Sequence, residues 1–172
     1  VIDDFRERPF TEADQISQDP VDPLPALSTC EWLRDLSDET ADALIAYTFP
    51  QGGPPRLAFS EVRFAGGAIT RAPEEATAYS LRNEKHIWYS IGIAPDAETC
   101  DLLVQHFAQL RNALGPARTG KVYINFIEGE EMAGRVQDGF SEKAFRRLRT
   151  LKAQYDPDGR LVSGLEIPPL AS

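Results

Sequence analysis

HIWYSIGIAPDAETCDLLVQHFAQLRNAL, residues His86–Leu114, is the stretch on which the fold class turns. Its first part alternates: Ile87, Tyr89, Ile91 and Ile93 fall on one face, Trp88, Ser90 and Gly92 on the other. That predicts a strand over 86–94. Pro95-Asp96 then opens a helix in which Cys100, Leu103, Phe107, Leu110 and Leu114 recur at helical spacing, and Gly115-Pro116 stops it. His106, beside Phe107, reads as a helix-edge residue, and His86 as an exposed strand end.

Upstream, RLAFSEVRF over Arg56–Phe64 also alternates. Leu57, Phe59, Glu61 and Arg63 share one face; Ala58, Ser60, Val62 and Phe64 share the other; Gly66-Gly67 closes the strand. Before it, Ser37 has the character of an N-cap, with Asp38 and Glu39 in the favoured first turn. Leu36, Ala41, Leu44, Ile45 and Thr48 make the apolar stripe, which PQGGPP at Pro50–Pro55 ends. Residues 1–30 show no clear period and carry Asp19-Pro20, Asp22-Pro23 and Leu24-Pro25, each pushing its first residue away from helix. An extended lead-in or linker over 1–35 is expected, with packing starting near Trp32 and Leu33.

Downstream, Val122–Ile127 alternates as a third strand. Ser141 caps a helix carrying Phe145, Leu148, Leu151 and Tyr155, ended by Asp156-Pro157, and Leu161-Val162 is a possible short final strand. The order is helix, strand, strand, helix, strand, helix. It lacks βαβ alternation and predicts an α+β fold: a mostly antiparallel sheet with helices packed on one face and the other face free. The expected division is 1–35 lead-in, 36–135 α+β domain, 136–172 C-terminal segment.

The 172 residues suffice for one core. A net charge of −9 repels phosphate backbones, so no nucleic-acid partner is expected. No apolar run approaches the roughly 20 residues a bilayer crossing needs, so no membrane is expected either. A soluble chain follows, with no compartment assigned beyond a cytoplasmic default. The chain starts at Val1 and its one methionine is Met132, so a trimmed, excised or processed product is expected. Cys30 and Cys100 read as two free thiols rather than a disulfide, and no Cys/His spacing suits a metal.

Phosphate loops, GxGxxG and GxSxG elbows are missing from the sequence. The abundant Asp and Glu read as solvated surface. What stands out is the alternation of Trp88 with Ser90 and of Tyr123 with Asn125 on two strands. A buried phenol and amide need partners. Backbone or water is the plainer source; a cofactor edge and a substrate hydroxyl are the other.

Four pieces occur in one order: GGAITRAPEEATAYSLRNE (Gly66–Glu84), Tyr123-Ile124-Asn125-Phe126, FRRLRTLKAQYDPDGRL (Phe145–Leu161) and Ile167-Pro168-Pro169. Together, over residues 36–169, they resemble the C-terminal half of FAD-linked oxidases of the berberine bridge enzyme type, in the vanillyl-alcohol oxidase superfamily. The resemblance implies a substrate-binding domain whose antiparallel sheet covers a flavin, and a C-terminal segment returning to the flavin domain. It implies two-electron oxidation of an alcohol, sugar or natural-product substrate, with hydride passing to flavin. Tyr123 and Ser90 would then be catalytic, Asn125 a cofactor contact and Trp88 a substrate contact. FAD would be held mainly by a flavin-binding domain in cis or in trans, and this chain alone would be inactive. Phe126 stands where many relatives have tyrosine, and Ser163-Gly164-Leu165-Glu166 departs from the family's Asn-x-Asn. These departures, with Ser90, favour an alternative: a non-catalytic small-molecule or protein-binding module. Either version predicts self-association through an exposed sheet face. An unrelated α+β fold is a third reading, which Tyr123 and Trp88 on different faces would favour.

Overall fold

The computed structural model describes residues 5–17, 21–50, 52–161 and 164–170. Its elements run α1 (Asp14–Ser17), β1 (Ala26–Leu33), α2 (Asp38–Thr48), β2 (Phe59–Phe64), α3 (Ala68–Arg71), β3 (His86–Ile93), α4 (Ala97–Leu114), α5 (Gly129–Arg135) and α6 (Glu142–Tyr155), joined by turns and short 3-10 segments. The architecture is α+β, with one antiparallel sheet in the order β1-β3-β2.

The three long helices begin where their side-chain caps predict. Ser37 Oγ accepts from Thr40 N (3.3 Å), Asp96 Oδ1 from Thr99 N (2.8 Å) and Ser141 Oγ from Ala144 N (3.3 Å). Each cap satisfies a first-turn amide that has no partner within its helix.

Register then sorts the side chains. Thr29 faces Ser90, Glu31 faces Trp88, and Val62 faces Trp88 from the far side. Directly opposed residues share a face, and this face is roofed by α2 and α4. Leu33, Leu44, Trp88, Leu110 and Leu114 form one cluster there, and Leu57, Leu103 and Phe107 another. Gly92 lets α4 approach: a Cβ there would stand 2.3 Å from Leu103 Cδ2. His106 is buried in this layer rather than at a helix edge, with Nε2 3.1 Å from Tyr47 O. Burial holds its pKa below the ordinary imidazole value.

The opposite face carries Cys30, Trp32, Ile87 and Tyr89. It is not left free: Val122, Tyr123, Phe126, Ile127 and Met132 pack across part of it.

Two segments depart from the sequence reading. The expected extended lead-in holds a 3-10 turn at Phe10–Glu12 and the short helix α1, and residues 26–33 form β1 and complete the sheet instead of linking to it. Proline marks end at Pro25, and the run from Ala26 to Leu33 mixes Ser, Thr, Cys and Glu among apolar residues. A polar run of that kind hides a strand whose polar residues are buried.

The third expected strand, Val122–Ile127, is a 3-10 turn over Ile124–Phe126. Residues 117–121 do run beside β1, through Arg34 N to Ala117 O (2.8 Å), Thr119 N to Trp32 O (2.9 Å) and Trp32 N to Lys121 O (2.9 Å). The ladder then stops because a thiol takes the next place. Cys30 Sγ accepts from Tyr123 N (3.2 Å) and donates to Tyr123 O (3.3 Å). Leu161 is in a bend, and Val162, its expected strand partner, lies outside the described residues.

Candidate functional site

The 3-10 turn changes which side chains meet. On a strand, Tyr123 and Phe126 would point to opposite faces. In a turn of three residues, positions i and i+3 lie on one side. Tyr123 and Phe126 accordingly meet edge to face, with ring centroids 4.9 Å apart. Phe126 stacks on Tyr89 of β3 at 4.1 Å, and Tyr79 meets Tyr123 edge to face at 6.1 Å. Such pairs contribute roughly 0.5–1.5 kcal/mol each beyond area burial.

This aromatic floor lies in an open hollow of about 460 Å³, bordered by Arg63, Ile69, Arg82, Ile87 and Asn125. Its size falls within the range of small-molecule sites, ~300–1,000 Å³. Arg63 on β2 holds its guanidinium 5.0 Å from the Phe126 centroid, and Arg82 lies 4.6 Å from the Tyr79 centroid. Asn125 is exposed at the rim, and its Nδ2 donates to Tyr123 Oη at 3.1 Å. Burial above all, with the neighbouring Tyr123, keeps the Tyr79 phenol above its ordinary pKa.

The sequence reading grouped Ser90 and Trp88 with Tyr123 and Asn125. The structure brings together only the second pair. Trp88 and Ser90 are fully buried under α2 and α4, on the far side of the sheet. There Trp88 Nε1 donates to Ser90 Oγ (2.8 Å) and Ser60 Oγ (3.0 Å), and Ser90 Oγ donates to Ser60 Oγ (2.8 Å). These groups satisfy one another and have no route to the hollow. The cause is period two in β3: the open face takes residue 89, so it presents Tyr89 and not its neighbours.

Tyr79, Arg82, Arg63 and Tyr89 were missed as site residues. The signal lay in the alternation itself, since Arg63 and Tyr89 each stand on one face of a predicted strand. Joining those faces needed the β2–β3 register, in which Arg63 pairs with Ile87 and Glu61 with Tyr89.

Behind the hollow, a buried ionic cluster ties the outer edge of β1 to residues 118–138. Glu31 is fully buried and accepts from Arg135 Nη2 at 2.8 and 3.2 Å and from Arg118 Nη1 at 3.2 Å. Arg135 also reaches Glu131 (2.9 Å) and Asp138 (3.1 Å), while Arg111 pairs with Glu131 and Thr29. Burial pulls Arg135 down, but the hydrogen bond and charge of Glu31, with Asp138 and Glu131, outweigh it and hold it above its ordinary value. Among the described residues no group of three His, Cys, Asp or Glu side chains could hold a metal ion. No helix of the described residues is long and apolar enough to cross a membrane.

No family model matches the chain. Among curated proteins it is 33% identical over 95 residues to the FAD-linked oxidoreductase iacH of Pestalotiopsis fici, covering 51% of this chain and 18% of that protein. It is 26% identical over 150 residues to the glucooligosaccharide oxidase of Sarocladium strictum, covering 79% of this chain and 30% of that protein. The chain thus spans less than a third of these relatives. The wild-type BBE-like 1 structure of Physcomitrella patens superposes with a TM-score of 0.70 at 15% identity, over 92% of this chain and 34% of that one. Tyr123 and Trp88 do lie on different faces, yet the fold match stands; the misplaced premise was that both belong to one face. In sequence this chain is similar to FAD-linked oxidoreductases, and its fold is similar to about a third of the berberine bridge enzyme-like 1 and chitooligosaccharide oxidase structures.

Proposed function

We propose that this chain is the substrate-domain and C-terminal portion of an FAD-dependent oxidoreductase acting on an alcohol, sugar or natural-product substrate. It works with a flavin-binding domain, in cis or in trans, and is inactive without one. The observation that carries the reading is the Tyr123–Asn125 hydrogen bond at the exposed rim of an aromatic hollow. Bound FAD would supply the hydride-accepting chemistry. An exposed amide beside a phenol suits the polar edge of a planar heterocycle, and the ring floor beside it suits the apolar body of a substrate. Asn125 contacts the cofactor edge. Tyr123, oriented by Asn125 and by the Cys30 grip on its backbone, holds the substrate hydroxyl.

The test is visible absorbance of the chain desalted after mixing with FAD, alone and with a cognate flavin-binding domain. Flavin retained and alcohol oxidised only in the mixture is the expected result. Tight flavin retention by the chain alone, or no activity in the mixture, would count against the proposal. In the active mixture Tyr123→Phe should lower kcat/KM by about tenfold, the scale of one lost hydrogen bond to the reacting hydroxyl.

A second reading, a non-catalytic binding module, is favoured by one observation. Among the described residues, those lining the hollow include no carboxylate or imidazole. Under that reading the mixture binds flavin and small molecules but oxidises nothing.

A further inference from the structure

We infer that the hollow takes a small organic acid: a ring or apolar body lies on the aromatic floor, and its carboxylate is held by Arg63 and Arg82. The inference rests on the hollow being the substrate site and names the substrate class.

The chain carries nine net negative charges, yet two arginines stand over this one concavity. Arg82 uses Nη1 on Ile69 O (3.3 Å) and Nη2 on Thr77 Oγ1 (3.0 Å), both neutral acceptors. Its Nε is buried without a hydrogen-bond partner, and no Asp or Glu among the described residues forms an ion pair with it. No carboxylate among the described residues therefore takes up its charge by direct contact. Arg63 gives only Nε to Glu61 (2.6 Å), leaving the fork of terminal nitrogens over Phe126 available. A planar guanidinium on a ring face is pre-organised for a carboxylate and is less hydrated than an ammonium. A neutral sugar would use none of these charges. An acid pairs with them, and it lengthens away from Tyr123 Oη and Asn125, where a hydroxyl would sit.

Glu61 supplies the discriminating sign. Among the described residues it is the one carboxylate paired with Arg63, so neutralising it should strengthen anion binding. A site for a neutral ligand would not respond.

The experiment titrates the chain with para-hydroxymethylbenzoate and with its neutral analogue, benzene-para-dimethanol. Affinity is read from tyrosine ring and arginine side-chain NMR shifts at low salt. The acid should bind about tenfold tighter than the diol, as expected when charge-assisted bonds replace neutral ones. Shifts should map to Arg63, Arg82, Tyr79 and Tyr123. Arg63→Gln should weaken the acid about fivefold and Glu61→Gln should tighten it about threefold, with the diol unchanged, the scale of partly exposed charge pairs. Arg82 also holds two backbone segments together, so the two β2 variants carry the decision if Arg82→Gln unfolds. Equal affinity for both probes, or no opposite response of Arg63→Gln and Glu61→Gln, would overturn the inference. No flavin enters the measurement, so failed reconstitution with a flavin-binding domain would sink the oxidoreductase reading and leave this result to be judged separately.

Discussion

Cys30 shows how one side chain can replace a piece of backbone. Its thiol both donates to and accepts from Tyr123, doing the work of a ladder pair where the neighbouring chain turns away from β1. Burial, above all, pushes the thiol up to about 12, against the backbone hydrogen bond from Tyr123. A raised thiol pKa favours the neutral group in the folded state. Its contribution is complete below the unfolded value of about 8.5 and is lost as pH rises toward the folded one. Denaturant midpoints measured from about pH 7 to about pH 11 should fall more steeply for the wild type than for Cys30→Ala. In native protein an alkylating reagent should modify half-exposed Cys100 before buried Cys30. Ser90 belongs at this scale too. Ser90→Ala leaves Trp88 Nε1 only Ser60, and should cost about 1 kcal/mol in a urea titration, the usual net value of one such bond. Trp88 and Ser90 were legible as partners on one face, because period two needs only the sequence. That their face is the sealed one was not legible, because α2 and α4 both choose it through long-range contacts.

β1 and the chain over residues 118–138 are held as one unit by buried charge. Glu31 sits with no exposure between Arg118 and Arg135, and the second layer of Glu131, Arg111 and Thr29 continues the network. Removing one partner would strand the others in low dielectric. Glu31→Ala should therefore cost about 3–5 kcal/mol in equilibrium unfolding, far above a surface ion pair. Exposed Lys143–Glu75 serves as the internal contrast: breaking it should leave the unfolding midpoint almost unchanged, because solvent screens the pair. The sequence reading treated the acids as solvated surface; Glu31 and Asp156 are buried exceptions, Glu31 completely. A lone Glu in a polar strand resembles a surface strand until its arginines, 87 and 104 residues away, are brought beside it. The same long-range packing turned Val122–Ile127 from an expected strand into the 3-10 turn that gathers Tyr123 and Phe126.

At the scale of the whole molecule, the apolar stripe of α6 stands out. Phe145, Leu148, Leu151 and Tyr155 recur at helical spacing, yet no residue of the helix is fully buried, and Tyr155 is 72% exposed. Phe145 and Leu148 are half-buried but Leu151 and Tyr155 are exposed, and an amphipathic helix whose stripe is only partly covered is an incomplete interface. If the flavin-binding domain completes it, Leu151→Asp with Tyr155→Asp should weaken association with that domain by about tenfold or more, as loss of central apolar contacts does. Analytical ultracentrifugation of the mixture measures it; unchanged association would place that contact elsewhere on the chain. The amino-acid sequence by itself determined the α+β class, two of the three strands, all three long helices and the caps Ser37 and Ser141, the face alternation of β2 and β3, and the likeness to flavin-linked oxidases. Each of these rests on local spacing, local capping or short motifs. Only the tertiary structure decided that residues 26–33 complete the sheet, that Ser90 and Trp88 are sealed away, and that Arg63, Arg82 and Tyr79 line one hollow with Tyr123 and Asn125 while Tyr89 stacks under Phe126. Those outcomes depend on register and on contacts between distant segments, which no local pattern encodes.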